Sequence, residues 1–270
     1  MTNVINIDDY DLAGALQAVA GFGTEHYGYL VTPNVDHMIR HYDDHGFRAL
    51  YAQANYVLLD SRFLAHTVAL VKRQAFKVCL GSDLTNEVLS NVIKPLDAAV
   101  LVGGTPQQAQ ALRERFGLKA LEHINPPMNF IRDAAAVESC LQAIEAASPF
   151  RFCFLAIGSP QQEIIAQKLK ERGRARGLAL CVGAAVNFLT GSEKRAPQWM
   201  QRLGFEWLFR LMQDPRRMAK RYLVRGPRIF LLLWRIEFRL RRAAAVTVEA
   251  KEGSVTPPTT SIIVSTGQVV

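Results

Sequence analysis

Short apolar runs alternate with stretches of helical period along most of this chain, and that alternation limits the fold more than any other feature. The runs are YGYLVT (27–32), NYVLL (55–59), FKVCL (76–80), AAVLVG (98–103), RFCFLAIG (151–158) and LALCVG (178–183). Helical periodicity fills the gaps near 34–50, 61–72, 83–93, 106–116, 133–147 and 161–172. Strands that are almost continuously apolar are buried on both faces, and strands that alternate with helices are joined by crossovers. The pattern predicts an α/β chain with a mostly parallel sheet and helices on both faces. No internal repeat and no charged linker appears before residue 190.

Composition matters here only for what it excludes. Of the 270 residues, 49% are hydrophobic and 21% charged, enough for one large core or one core with an appendage, so disorder is expected only at an end. The cysteines, Cys79, Cys140, Cys153 and Cys181, are dispersed without metal-ligand or CxxC spacing. They read as reduced, mostly buried thiols of a cytoplasmic protein. The N-terminus MTNVINIDDYD is polar and acidic where a cleavable signal would be basic and then apolar.

Parallel sheets bind ligands beyond the carboxyl ends of their strands, so the residues after each run are the place to look. They are TPN (32–34), DS (60–61), GSD (81–83), GGTP (103–106), GSPQQE (158–163) and GAAVNF (183–188). Gly81, Ser82, Gly103, Gly158, Ser159 and Gly183 make these turns suited to offering N–H groups to a phosphate. Helix capping asks for the same residue types. In GSPQQE the plain reading is a tight corner at Gly158, an N-cap at Ser159 and Pro160 at the first helical position. No turn spells GxGxxG or GxxxxGK[ST], which disfavours a dinucleotide or a P-loop nucleotide.

The texture changes beyond residue 190. The net charge of +8 is concentrated between Lys194 and Arg242, where helices are expected near 197, over 205–213, over 215–223 and over 227–242. A basic segment of this kind suits nucleic acid, an anionic membrane surface or a phosphorylated substrate. RIFLLLWRIEFRL (228–240) is too short to span a bilayer and reads as an interfacial helix, or as a helix packed on another subunit. Residues 243–270 are small, polar and rich in Pro, Thr and Ser, the composition of a disordered tail.

Several blocks together carry a family likeness. VTPNVDHM, LGSDLT, FLAIGSPQQE and the long block from Gly183 to Leu223, in the right order, resemble the WecG/TagA/CpsF glycosyltransferases, also called glycosyltransferase family 26. The likeness runs over roughly residues 4–230. It implies a Rossmann-like core over 1–194 and a basic helical appendage over 195–242. It also implies inverting, metal-independent transfer of a sugar from a UDP-sugar to a polyprenyl-diphosphate-linked sugar, in the biosynthesis of exopolysaccharide, teichoic acid or common antigen. No cofactor is expected. The partners implied are the UDP-sugar, the lipid-linked acceptor and the cytoplasmic face of the inner membrane, bound through the basic C-terminal helices. Nucleic acid is not among them, and a homo-oligomer stays open.

The resemblance also implies roles for single residues. Asp60 is the general base, Thr32 and Asn34 fall on an active-site TxN motif, and Gln162 contacts substrate. Arg210, Arg217 and Arg221 match positions proposed to neutralise the departing UDP. There are two departures. Asp60-Ser61 stands where Asp-Gly is common, and Val78, with Lys77 beside it, stands where many members have arginine. Two other readings are carried forward: an α/β oxidoreductase or nucleotide-sugar-modifying enzyme, and a catalytically silent subunit of a polysaccharide assembly complex.

Overall fold

The computed structural model describes residues 3–241, apart from the side chains of Arg217 and Lys220. The chain begins with β1 (Asn3–Asp8), α1 (Leu12–Ala20), β2 (Tyr27–Val31), α2 (Val35–Asp43), α3 (His45–Ala52), β3 (Tyr56–Val57) and α4 (Arg62–Lys72). After α5 (Gly81–Glu87) and a π turn come β4 (Ala99–Val102), α6 (Pro106–Phe116), β5 (Leu121–Ile124) and α7 (Ala134–Ala146). The core is completed by β6 (Phe152–Leu155), α8 (Gln161–Arg172), β7 (Gly177–Cys181) and α9 (Ala185–Leu189). The rest of the chain is α10 (Gln198–Arg202), α11 (Glu206–Gln213), α12 (Pro215–Ala219), a π turn over Lys220–Arg225, α13 (Arg228–Leu232) and β8 (Ile236–Arg241).

Six strands form one parallel sheet in the order β3-β2-β7-β6-β4-β5. Side chains alternate across it with period two, and each face of the sheet has its own core. Val100 and Val102, Cys153 and Leu155, and Ala179 and Cys181 pack on one side. Ala99 and Leu101, Phe152 and Phe154, and Leu178 and Leu180 pack on the other. Strands buried on both faces have no polar rim, which is why their runs are so apolar. Each large buried side chain contributes ~2 kcal/mol of hydrophobic stabilisation, so a core of this breadth holds the strand ends rigid. All four cysteines are free and buried.

Four expectations are corrected. FKVCL (76–80) is not a strand: Cys79 N–H donates to the Leu59 carbonyl at 3.1 Å, but no ladder forms, because β3 beside it is only two residues long. The helix expected over 34–50 is broken at Asp44, whose side chain accepts from the N–H groups of Gly46 and Phe47 and so caps α3. The helix expected over 227–242 stops at Leu232, and the interfacial-helix reading of 228–240 fails with it. Ile236–Arg241 is instead a strand, paired in parallel with β1. In IEFRLR, residues of opposite character alternate strictly, a period that suits a strand and not a helix.

The β1–β8 pair ties the end of the basic segment back to the start of the chain. Asp8 is 5% exposed and fixes the junction: its carboxylate accepts from Arg241 Nε at 2.9 Å, from Arg241 Nη2 at 2.8 Å and from the Val57 N–H at 2.7 Å. Residues 243–270, expected to be a disordered tail, lie outside the described residues. Among the described residues no helix is long and apolar enough to cross a membrane.

Candidate active site

The carboxyl ends of β2, β3, β6 and β7 open into a cavity of about 930 Å³, roofed by the segment after Pro197. That size is at the upper end of ordinary small-ligand pockets. Thr32, Asn34, Asp60, Ser82, Gly158, Ser159, Gln162, Gly183, Arg210 and Arg221 all line it, so the fold brings together turns up to 151 residues apart along the strands and two arginines of the basic segment.

Asp60 lies at the end of the β3 segment, with its N–H bonded to the Pro33 carbonyl at 2.9 Å. It is not the cap of the following helix. Ser61 caps α4 by accepting from the Leu64 N–H at 3.1 Å, and its φ of −162° is ordinary extended backbone, so serine serves here without strain. The Asp60 carboxylate instead accepts the Gly81 N–H at 2.9 Å, across to the start of α5. Burial raises its pKa from 3.8 to about 7, against the lowering effects of the Gly81 hydrogen bond and Arg210, and with smaller raising effects from Glu206 and Asp83. A carboxyl poised there can accept a proton near neutrality.

Gln162 is 3% exposed at the cavity floor. Its Oε1 accepts the Gly183 N–H at 2.9 Å, pinning the turn after β7 to the turn after β6, and its Nε2 donates to Glu163 at 3.1 Å. Burial raises the pKa of the Glu163 carboxyl. The N–H of Gly183 is thus already engaged and is not offered to a phosphate. The capping expected of Ser159 is also absent: α8 begins at Gln161, its first N–H groups reach the carbonyls of Gly158 and Pro160, and Ser159 instead acts on the Glu163 carboxyl, whose pKa it helps to lower against burial. Gly158, at φ +77°, makes the corner between β6 and α8.

Thr32 is buried where β2 meets β7, its hydroxyl 3.5 Å from the Cys181 carbonyl. Asn34 caps α2 by accepting from the Asp36 and His37 N–H groups, and it also accepts from Arg221 Nη2 at 3.3 Å. Arg221 Nε lies 3.9 Å from Asp36. The guanidinium of Arg210 sits 5.0 Å from the Phe188 ring centre and 3.7 Å from Glu206. His37 lines the cavity with its pKa lowered to about 3, first by burial and then by Arg221, and its Nδ1 is 3.0 Å from the Tyr51 hydroxyl.

Three expected residues stand elsewhere. Gly103 does not line the cavity; it is buried at φ +88°, and a Cβ there would lie 2.7 Å from Ile157 and 2.9 Å from the Ala156 carbonyl, so glycine serves close packing. Gly81 acts at one remove, through its bond to Asp60. Lys77 is half-exposed and pairs with Asp11 at 4.0 Å, outside the cavity, so it does not stand in for an arginine there. The side chain of Arg217 lies outside the described ones.

Sequence reasoning gave no role to Arg62, His37, Phe188, Glu206 or Trp207. All five line the cavity. Glu206 was detectable, because it stands four residues before Arg210 on α11, a spacing that pairs opposite charges on a helix. Residues 2–243 match the model of the glycosyl transferase WecG/TagA/CpsF family. That match takes in both the strand-end turns and the roof of the cavity, and the chain belongs to this family of glycosyltransferases.

Proposed function

We propose that the enzyme transfers a sugar from a UDP-sugar to a polyprenyl-diphosphate-linked acceptor, with inversion, at the cytoplasmic surface of the membrane. The observation that carries the reading is Asp60, a carboxyl held up to about 7 by burial and positioned by Gly81 in a cavity that also holds two arginines. The acceptor hydroxyl gives its proton to Asp60 as its oxygen attacks the anomeric carbon. The bond from that carbon to the diphosphate breaks, and UDP leaves with the electron pair. Arg210 and Arg221 supply positive charge for the departing diphosphate, so the step is expected to proceed in the presence of EDTA. Asn34 and Asp36 hold Arg221 ready, and the ring of Phe188 supports Arg210.

The segment after Pro197 supports docking on a membrane surface. Its Trp199, Met212, Val224, Leu231 and Trp234 are exposed, and so are Arg202, Arg216 and Arg225. Exposed aromatic and aliphatic side chains mixed with cations suit the headgroup layer of anionic lipid. The test is incubation of the full chain with a panel of UDP-sugars and a short-chain polyprenyl-diphosphate sugar in EDTA, following UDP release and product mass for wild type and Asp60→Asn. Transfer by wild type alone supports the reading. UDP release equal in the two proteins would refute Asp60 as the base.

A further inference from the structure

One cation in the cavity has no counterpart in the scheme above. Arg62 lines the cavity at the first position of α4, and its Nη1 is buried and makes no hydrogen bond. No carboxylate among the described residues pairs with it, whereas the other cavity arginines do have acids: Arg210 has Glu206 and Arg221 has Asp36. The first turn of α4 carries no acid either, so the positive end of that helix adds to the guanidinium charge instead of offsetting it. A buried donor on a fixed cation, left without an acceptor, is costly unless an anion reaches it.

The surroundings of Arg62 narrow the ligand. The next residue, Phe63, packs edge-on against Trp207 at 6.4 Å and against Phe230 at 6.2 Å between ring centres. Phe63, Phe230, Leu223 and Pro227 line the same cavity, and from Phe230 the apolar surface continues outward to Leu231 and Trp234, 74% and 70% exposed. Charge and a water-averse wall therefore meet at one end of the site. A ligand that satisfies both has an anionic group attached to a long apolar chain. A UDP-sugar has the anion without the chain.

We propose that Arg62 binds the phosphate that joins the acceptor sugar to its apolar chain, which makes it the anion site of the acceptor end, separate from the arginines that face the donor. The inference rests on the glycosyl-transfer reading above for the identity of the acceptor. Its test, however, is a binding measurement that needs no turnover. The full chain, as wild type, Arg62→Gln and Arg62→Lys, is titrated calorimetrically with farnesyl diphosphate, with farnesol and with UDP. Arg62→Gln is expected to weaken farnesyl diphosphate by about ten- to a hundredfold, as for loss of a charge-assisted contact. UDP and farnesol should be unaffected, and Arg62→Lys should recover part of the loss, because a point charge replaces the fork.

The proposal is overturned if wild type fails to bind farnesyl diphosphate, or if Arg62→Gln binds it as wild type does. It is also overturned if UDP loses as much affinity as farnesyl diphosphate, which would put Arg62 on the donor phosphates. Arg62-dependent binding of farnesyl diphosphate by a chain that transfers no sugar would remove the transfer reading and leave this site standing.

Discussion

Asp60→Asn should slow transfer by orders of magnitude and yet make the protein more stable in alkaline solution than the wild type. Asparagine keeps an Oδ1 to accept the Gly81 N–H, so the hydrogen bond at 2.9 Å survives. What it removes is a carboxyl whose pKa rises from 3.8 to about 7 on folding. Below pH 3.8 both folded and unfolded chains hold the proton. Between 3.8 and about 7 the unfolded chain releases it while the folded chain keeps it, so this group's contribution to stability falls as pH rises and is fully lost above about 7. A displacement of this size corresponds to ~4 kcal/mol at 1.36 kcal/mol per pH unit. Asp60 retains some exposure to the cavity, which reduces the expected loss between pH 5 and pH 8 to ~2 kcal/mol. In a chain of this length that is about 4 to 8 °C in Tm. Thermal unfolding of both proteins at the two pH values measures it, and the stability advantage of Asp60→Asn should widen by that amount from pH 5 to pH 8. In parallel, wild-type kcat/KM should climb with pH to a plateau above about 7, and the variant should lose about 10²- to 10⁴-fold. An advantage that does not change with pH would refute the reasoning, because Asp60 would then not hold its proton in the folded protein.

Gln162→Ala leaves the Gly183 N–H without an acceptor and frees the turn after β7. It should lower stability by ~1–3 kcal/mol and kcat by about tenfold or more, read by urea unfolding and by the UDP-release assay. Asp8→Ala strands both Arg241 and the Val57 N–H at the β1–β8 junction. A loss of ~2–4 kcal/mol is expected in the denaturation midpoint, while UDP binding in the folded fraction stays unchanged. Replacing Leu231 and Trp234 together by serine should sharply reduce co-sedimentation with anionic vesicles and leave UDP affinity intact, since both side chains point away from the core. Wild-type co-sedimentation should itself weaken with added salt.

The sheet was legible because its signal is local. AVLV, FCFL and LALC are apolar at every position, and only a strand with cores on both faces needs that. The β1–β8 pair was not, although IEFRLR alternates as a strand should. Its six residues follow the apolar run IFLLLW, which on its own suggests a helix, and its partner NVINID reads as a polar N-terminus until the two meet. A strand whose ladder lies more than 200 residues away leaves little trace in its own neighbourhood. FKVCL failed in the opposite direction: the composition of a strand, but only a two-residue neighbour to pair with.

The candidate site divides along the same line. Turns at the strand ends were legible because an end of strand, a glycine and a hydroxyl are consecutive letters. What those letters bond to was not. Ser159 looked like a cap, and main-chain carbonyls did the capping; Asp60 stands just before a helix start, and reaches across to Gly81. In each case the nearest helix was satisfied by something else, and the residue lines the cavity. The same reasoning applies to Arg62, whose position at the start of α4 is unfavourable for the helix it opens. A residue that is poorly placed for its own element, with no partner among the described residues, is where the sequence records the demand of a ligand and not of the fold.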